Sequence, residues 1–166
     1  IDWRERHTVL KAGAAVDIRA DRATYGIQGA VIERPNHFDR IADHARFEVP
    51  AQGWVDPSEG GYGVAILTDA KYGFSCLDDT MRVTLLRSST SPDETADRGR
   101  HRFSHAIYPH AGDWAAADVP TLAENFANPA TATAGIRADR PAPLTVEDLD
   151  PARKHHFVVD VIKLAE

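Results

Sequence analysis

The chain has 166 residues, 43% of them hydrophobic and 27% charged, with a formal net charge of −6. That length and balance suit one globular domain with a core of its own, without metal or disulfide staples. The acidic excess excludes the basic footprint that a nucleic acid or an anionic membrane needs, and no apolar run approaches the ~18 residues of a membrane span.

No secretory leader is read at the start. The chain begins at Ile1 without an initiator Met and ends at Glu166, from which we expect a piece of a larger protein. The single Cys76 sits in an apolar run and reads as a small core residue. One unpaired cysteine fits a reducing, cytoplasmic compartment.

Taken in chain order, most segments alternate apolar and polar residues with a period of two, the mark of half-buried strands. Val16, Ile18 and Ala20 alternate with Asp17 and Arg19, then Tyr25 and Ile27 follow the turn Asp21-Arg22. Glu33-Arg34-Pro35 reads as a strand exit with a surface ion pair. Ala45, Phe47 and Val49 form the next alternating set. Asp56, Ser58 and Glu59, after Trp54, read as a turn. Met81, Val83 and Leu85 alternate again, as do Phe103, His105 and Ile107. Short strands separated by turns at close intervals predict antiparallel sheets in a sandwich. One segment breaks the pattern: Val119, Leu122, Ala123 and Phe126 are spaced for a helix. Asp118 is its expected cap, Pro120 suits its first turn, and Asn128-Pro129 ends it. Residues 130–143 are rich in Ala, Thr and Pro and read as a linker. Phe157, Val159 and Val161 alternate once more. The expected organisation is a β-sandwich over residues 1–129, the linker, and the start of a further β-segment at 144–166.

The stretch GYGVAILTDAKYGFS, residues 61–75, raises the question of a phosphate-binding loop. A P-loop requires a lysine and a hydroxyl directly after its last glycine, and here Lys71 precedes Gly73. A dinucleotide fingerprint must open a helix, whereas Gly61-Tyr62-Gly63 is followed by the strand-like Val64 to Leu67. The glycines therefore read as architectural, providing positive φ or close backbone approach. Val64 to Leu67, Tyr72 to Leu77 and Met81 to Leu86 are expected to form a three-stranded meander.

Four stretches carry a resemblance: DWRERHTVLK (2–11), ARFEVPAQGWVDPSEGGYGVAILTDAKYG (45–73), LLRSSTSPDETADRGRHRFSHAIYPH (85–110) and ENFANP (124–129). They resemble the C-terminal β-sandwich region of glycoside hydrolase family 38 α-mannosidases. Pro57, Thr68, Ser89 and His105 depart from the family's usual residues without removing a charge cluster. The resemblance implies a galactose mutarotase-like supersandwich. It also implies a retaining, zinc-dependent mannosidase whose nucleophile and zinc ligands all lie in an N-terminal catalytic domain outside this sequence. Retaining enzymes place two carboxyl groups ~5–5.5 Å apart, and the zinc orients sugar hydroxyls. On that reading this chain has no catalytic residue, metal ligand or cofactor of its own and is inactive alone. Its partners are the catalytic domain of the same polypeptide and a mannose-containing carbohydrate.

The densest polar stretch is PDETADRGRHRF, residues 92–103, in a long connection of the kind that often carries function. In one reading it lines the mannose site, with Asp97 and His101 supplying polar contacts and Gly99 a tight turn. In the other, Asp93 and Asp97 only stabilise the loop by accepting backbone N–H bonds. On a strand His101 and His105 share a face, but no Cys or Glu completes a zinc shell. His110, between Pro109 and Ala111-Gly112, is expected in a turn, and His155-His156 at a solvated strand start. Trp54, Trp114 and Tyr62 read either as core packing or as a sugar-stacking platform, and Trp3 packs separately. The alternatives to an α-mannosidase domain are a freestanding carbohydrate-binding module and a mutarotase-like enzyme.

Overall fold

The computed structural model describes residues 9–130. The chain divides into two units, residues 1–129 and 130–166. The linker expected at 130–143, the strand around Phe157 with His155-His156, and Trp3 lie outside the described residues.

The described residues form nine strands and two short helices: β1 (Leu10–Ala15), β2 (Arg22–Ile27), β3 (Ala30–Pro35), α1 (Ile41–His44), β4 (Val49–Pro50), β5 (Trp54–Glu59), β6 (Tyr62–Thr68), β7 (Gly73–Leu77), β8 (Thr80–Leu86), β9 (His105–Ala111) and α2 (Val119–Ala127). All pairings are antiparallel. The four-stranded sheet has the order β1-β8-β7-β4 and the five-stranded sheet β3-β2-β5-β6-β9. The mainly β, antiparallel sandwich expected from the alternation is therefore the fold, with a second helix besides the expected one.

Side-chain parity explains the layering. Ala23, Tyr25, Val55, Val64 and Ile66 of the five-stranded sheet meet Phe74, Cys76, Met81 and Val83 of the four-stranded sheet in the main core. The alternate residues Trp54, Ala65 and Leu67 point the other way and are covered by Val119 and Ala123 of α2. Val64 to Leu67 is apolar at every position because β6 is buried on both faces. Burial leaves the Cys76 thiol pushed up to about 12, which suits an inert core residue.

Several expectations are corrected. β6 does not pair with β7: it lies between β5 and β9, and the chain crosses to the other sheet before β7 begins. Only β7 and β8 form the expected hairpin, because a strand buried on both faces must be central to its sheet. Val16, Ile18 and Ala20 are not a strand; β1 ends at Ala15, and Ile18 instead plugs the core from a connection, 1% exposed. Ala45 to Glu48 follow α1 as turn and bend, with Phe47 exposed, and pairing resumes only at Val49. Phe103 likewise precedes β9 rather than joining it. Asp118 is the helix N-cap by position, but its carboxylate takes the Thr121 hydroxyl at 2.8 Å instead of a backbone N–H. Pro120 in the first turn and Asn128 at the end match expectation.

The two-sheet core predicts a sharp contrast under urea denaturation. Phe74→Ala, at a fully buried ring, should lose about 3–5 kcal/mol. Ile107→Ala, at a half-exposed position on β9, should change stability by no more than about 0.5 kcal/mol.

Candidate functional site

The connection from β8 to β9 carries the residues singled out from sequence, and it brings two of them together. His101 Nε2 lies 2.7 Å from the carbonyl oxygen of Asp97. The Asp97 carboxylate accepts the Ser88 backbone N–H at 2.9 Å, closing the loop across nine residues. Asp97 and Gly99 both adopt positive φ, 61° and 131°, so Gly99 provides the turn that lets His101 fold back. Asp93 accepts both the backbone N–H and the hydroxyl of Thr95 at 2.8 Å; those bonds hold its carboxyl below the ordinary carboxylate range. His101 stacks on Phe103, and the Lys71 ammonium sits 4.3 Å from the centre of that ring. The loop is thus tied to itself, while Asp97, Gly99 and His101 stay exposed to solvent. His101 is not on a strand and shares no face with His105.

A second cluster was not read from the sequence. Asp56, Ser58 and Glu59 are not a turn but half of β5, and His110 is not in a turn but on β9. His110 Nε2 lies 2.5 Å from Asp56 Oδ2, with both side chains almost wholly buried. Ser58 donates its hydroxyl to the other carboxylate oxygen, Oδ1. Between these two strands runs β6, whose Gly63 is paired with Ser58 on one side and His110 on the other. A Cβ on Gly63 would lie 2.4 Å from His110 Cε1 and 2.5 Å from Ser58 Oγ. The carboxylate–imidazole bond therefore passes over a strand at the one residue type that leaves room for it. Pro57, with no N–H to give, sits where the β5–β6 pairing is interrupted between Val55 and Ser58, the register staying the same on both sides. The signal was present: a glycine inside a strand marks close approach, and Trp54, Asp56 and Ser58 alternate to one face.

The chemistry of this cluster is that of a clamp. In a nucleophilic triad the imidazole takes the serine proton and the acid orients the imidazole. Here both the hydroxyl and the imidazole address the same carboxylate, so the serine is not activated. Burial pushes the Asp56 carboxyl above its ordinary 3.8, and the Ser58 and His110 bonds pull it part of the way back. A hollow of about 360 Å³ adjoins the cluster, lined by Thr24, Asp56, Ser58, Asp113 and Trp114 among others. Trp114 packs on Trp54 with ring centres 5.5 Å apart, as the packing reading of the tryptophans expects, whereas Tyr62 is half-exposed. Among the described residues no three His, Cys, Asp or Glu side chains converge to hold a metal; the zinc that the resemblance implies is expected in a domain outside this sequence.

An antiparallel sandwich braced by a buried acid–imidazole clamp is the class of an architectural β-domain. The family model "Glycosyl hydrolases family 38 C-terminal domain" matches residues 1–95, and the chain belongs to that family. It is similar to human "Alpha-mannosidase 2C1", 39% identical over the whole chain and 16% of the relative. It is also similar to "Alpha-mannosidase G" of Dictyostelium discoideum, 45% identical over 72% of this chain and 11% of the relative. The "Alpha-mannosidase" of Saccharomyces cerevisiae is 43% identical over 75% of this chain and 11% of its own length. The chain thus spans a sixth or less of the curated relatives it matches. Among solved structures, an alpha-mannosidase from Enterococcus faecalis V583 superposes with a TM-score of 0.63 at 17% identity, covering 72% of this chain and 14% of that one; this likeness is one of fold.

Two outcomes test the clamp. Gly63→Ala should cost about 1–3 kcal/mol in chemical denaturation by displacing the imidazole, and His110→Ala about 3–5 kcal/mol by leaving a buried carboxylate alone. The pH dependence has a definite sign. A carboxyl raised by folding binds its proton more tightly in the native state, so its contribution is full below 3.8 and falls as pH rises through the elevated native value. The stability of the native chain minus that of Asp56→Asn should decline as pH rises from 3.8; a rising difference contradicts the assignment.

Proposed function

We propose that this chain is a non-catalytic β-domain of a larger retaining α-mannosidase, where it supports the catalytic domain and presents the 92–103 loop to the mannose site. The carrying observation is the family match over residues 1–95, joined to relatives named α-mannosidases that are at least six times longer. The nucleophile, the acid and the zinc then belong to the part of the polypeptide outside this sequence. The state of the most deeply buried acid among the described residues supports this, since Asp56 is engaged at both oxygens by Ser58 and His110 and is not free for attack on a sugar. For the loop, the support is its shape: Asp97, Gly99 and His101 form a tied, preformed turn on the surface. Its polar groups are fixed before any ligand arrives, which lowers the entropic cost of binding. The domain boundaries follow the same reading, with a linker at 130–143 and the next β-segment from residue 144. The lone buried thiol of Cys76 and the lack, among the described residues, of a helix long and apolar enough to cross a membrane agree with a cytoplasmic setting.

The purified 166-residue chain should not hydrolyse an aryl α-mannoside, and measurable turnover ends the non-catalytic reading. Asp97→Ala, placed in the full-length polypeptide, should lower kcat/KM about tenfold or more, since a charge-assisted hydrogen bond to a sugar is worth about 1.5–3 kcal/mol. Unchanged kinetics with unchanged stability would retire the loop's role. Mannose binding by the isolated chain in calorimetry, without turnover, favours the freestanding carbohydrate-binding module.

A further inference from the structure

A concavity of about 580 Å³ opens beside β3 and α1, and four arginines line it: Arg22, Arg34, Arg40 and Arg46. In a chain of net charge −6 this is a local reversal of sign. Three carboxylates share the hollow, and two of them, Glu33 and Asp43, are already matched by arginines. Glu33 takes Arg22 Nε at 3.2 Å. Asp43 takes the Arg40 backbone N–H at 3.0 Å and Arg46 Nη1 at 3.4 Å. Asp39 faces His37 Nδ1 at 3.0 Å. The guanidinium groups of Arg34 and Arg40 have no carboxylate partner among the described residues.

Arg34 is also held in place. Its guanidinium carbon lies 4.7 Å from the centre of the Tyr25 ring, a core side chain 2% exposed. Its Nη1 is buried and has no hydrogen-bond acceptor among the described residues. A buried cationic donor without an acceptor is an open valence, and a planar fork fixed on an aromatic ring is pre-organised for an oxyanion. Burial correspondingly lowers the Arg34 proton affinity, a penalty that an anion opposite would remove.

We propose that this hollow is an oxyanion-binding site in which Arg34 and Arg40 receive a phosphate monoester or a carboxylate group. The two ligand sources share one chemistry and differ in charge and shape. Isothermal titration of the 166-residue chain with inorganic phosphate, and separately with glutarate, at ionic strength matched with sodium chloride, distinguishes them. Saturable one-site binding of phosphate alone identifies a phosphate ester as the occupant. Binding of glutarate, with or without phosphate, identifies a carboxylate. Arg40→Gln, at an exposed position and keeping the backbone N–H that Asp43 accepts, should weaken the binding about tenfold, with an unchanged circular dichroism spectrum. Arg82→Gln, on β8 of the other sheet, should leave it unchanged. No saturable heat with either anion, or equal binding by the native chain and Arg40→Gln, overturns the proposal. The assay needs no catalytic domain, so its failure leaves the mannosidase reading untouched.

Discussion

The five-stranded sheet depends on one bond that crosses a strand. Asp56 on β5 reaches His110 on β9 over Gly63 of β6, tying together strands that are not neighbours in the sheet. Backbone ladders join only adjacent strands, so this contact fixes the relative register of three strands at once. A slip of one residue would turn every side chain to the opposite face and place a carboxylate in the main core. Desolvation makes the bond costly to form and more costly to break. That asymmetry favours one arrangement over its neighbours more than it adds to total stability.

Around that point the layers follow from parity. One face of β5 and β6 sends Val55, Val64 and Ile66 into the main core, and the other sends Trp54, Ala65 and Leu67 under α2. The polar trio occupies the end of this second face, around the hollow that Trp114 also lines. The same chain therefore builds a dry interior between sheets and a polar brace on the outer side of one of them. A similar economy appears at Gly73, where a Cβ would lie 2.9 Å from Glu48 Oε1; the bare backbone lets Glu48 lie across to Lys11 at 2.7 Å.

Much of this was legible in the sequence. Period-two alternation located β2, β8 and the start of β9 at His105–Ile107, and the spacing of Val119, Leu122, Ala123 and Phe126 located α2. The architectural role of the glycines was also readable, because no phosphate motif fits the stretch around Gly61 and Gly63. What alternation cannot reveal is which sheet a strand joins: Val64 to Leu67 and Tyr72 to Leu77 look like consecutive strands of one meander, yet they face each other across the core. Local pattern also misled at Val16–Ala20 and Ala45–Val49, where apolar residues anchor connections instead of pairing. The Asp56–His110 contact joins residues 54 positions apart; Gly63 and the alternation of Trp54, Asp56 and Ser58 marked a close approach and a face, but not the partner on β9. Of the loop residues, the turn-forming role of Asp93 was readable because its bonds to Thr95 are local, whereas the Asp97 carboxylate reaches back nine residues to the Ser88 N–H.

The sheet margins have a consequence for behaviour in a crowded solution. Of the four outermost strands among the described residues, β3, β4 and β9 each contain a proline, at Pro35, Pro50 and Pro109. Proline offers no N–H to an incoming strand, and a margin so interrupted is a poor template for further pairing. A domain made almost entirely of pleated layers thereby resists growing into aggregates at the borders where such layers are most vulnerable.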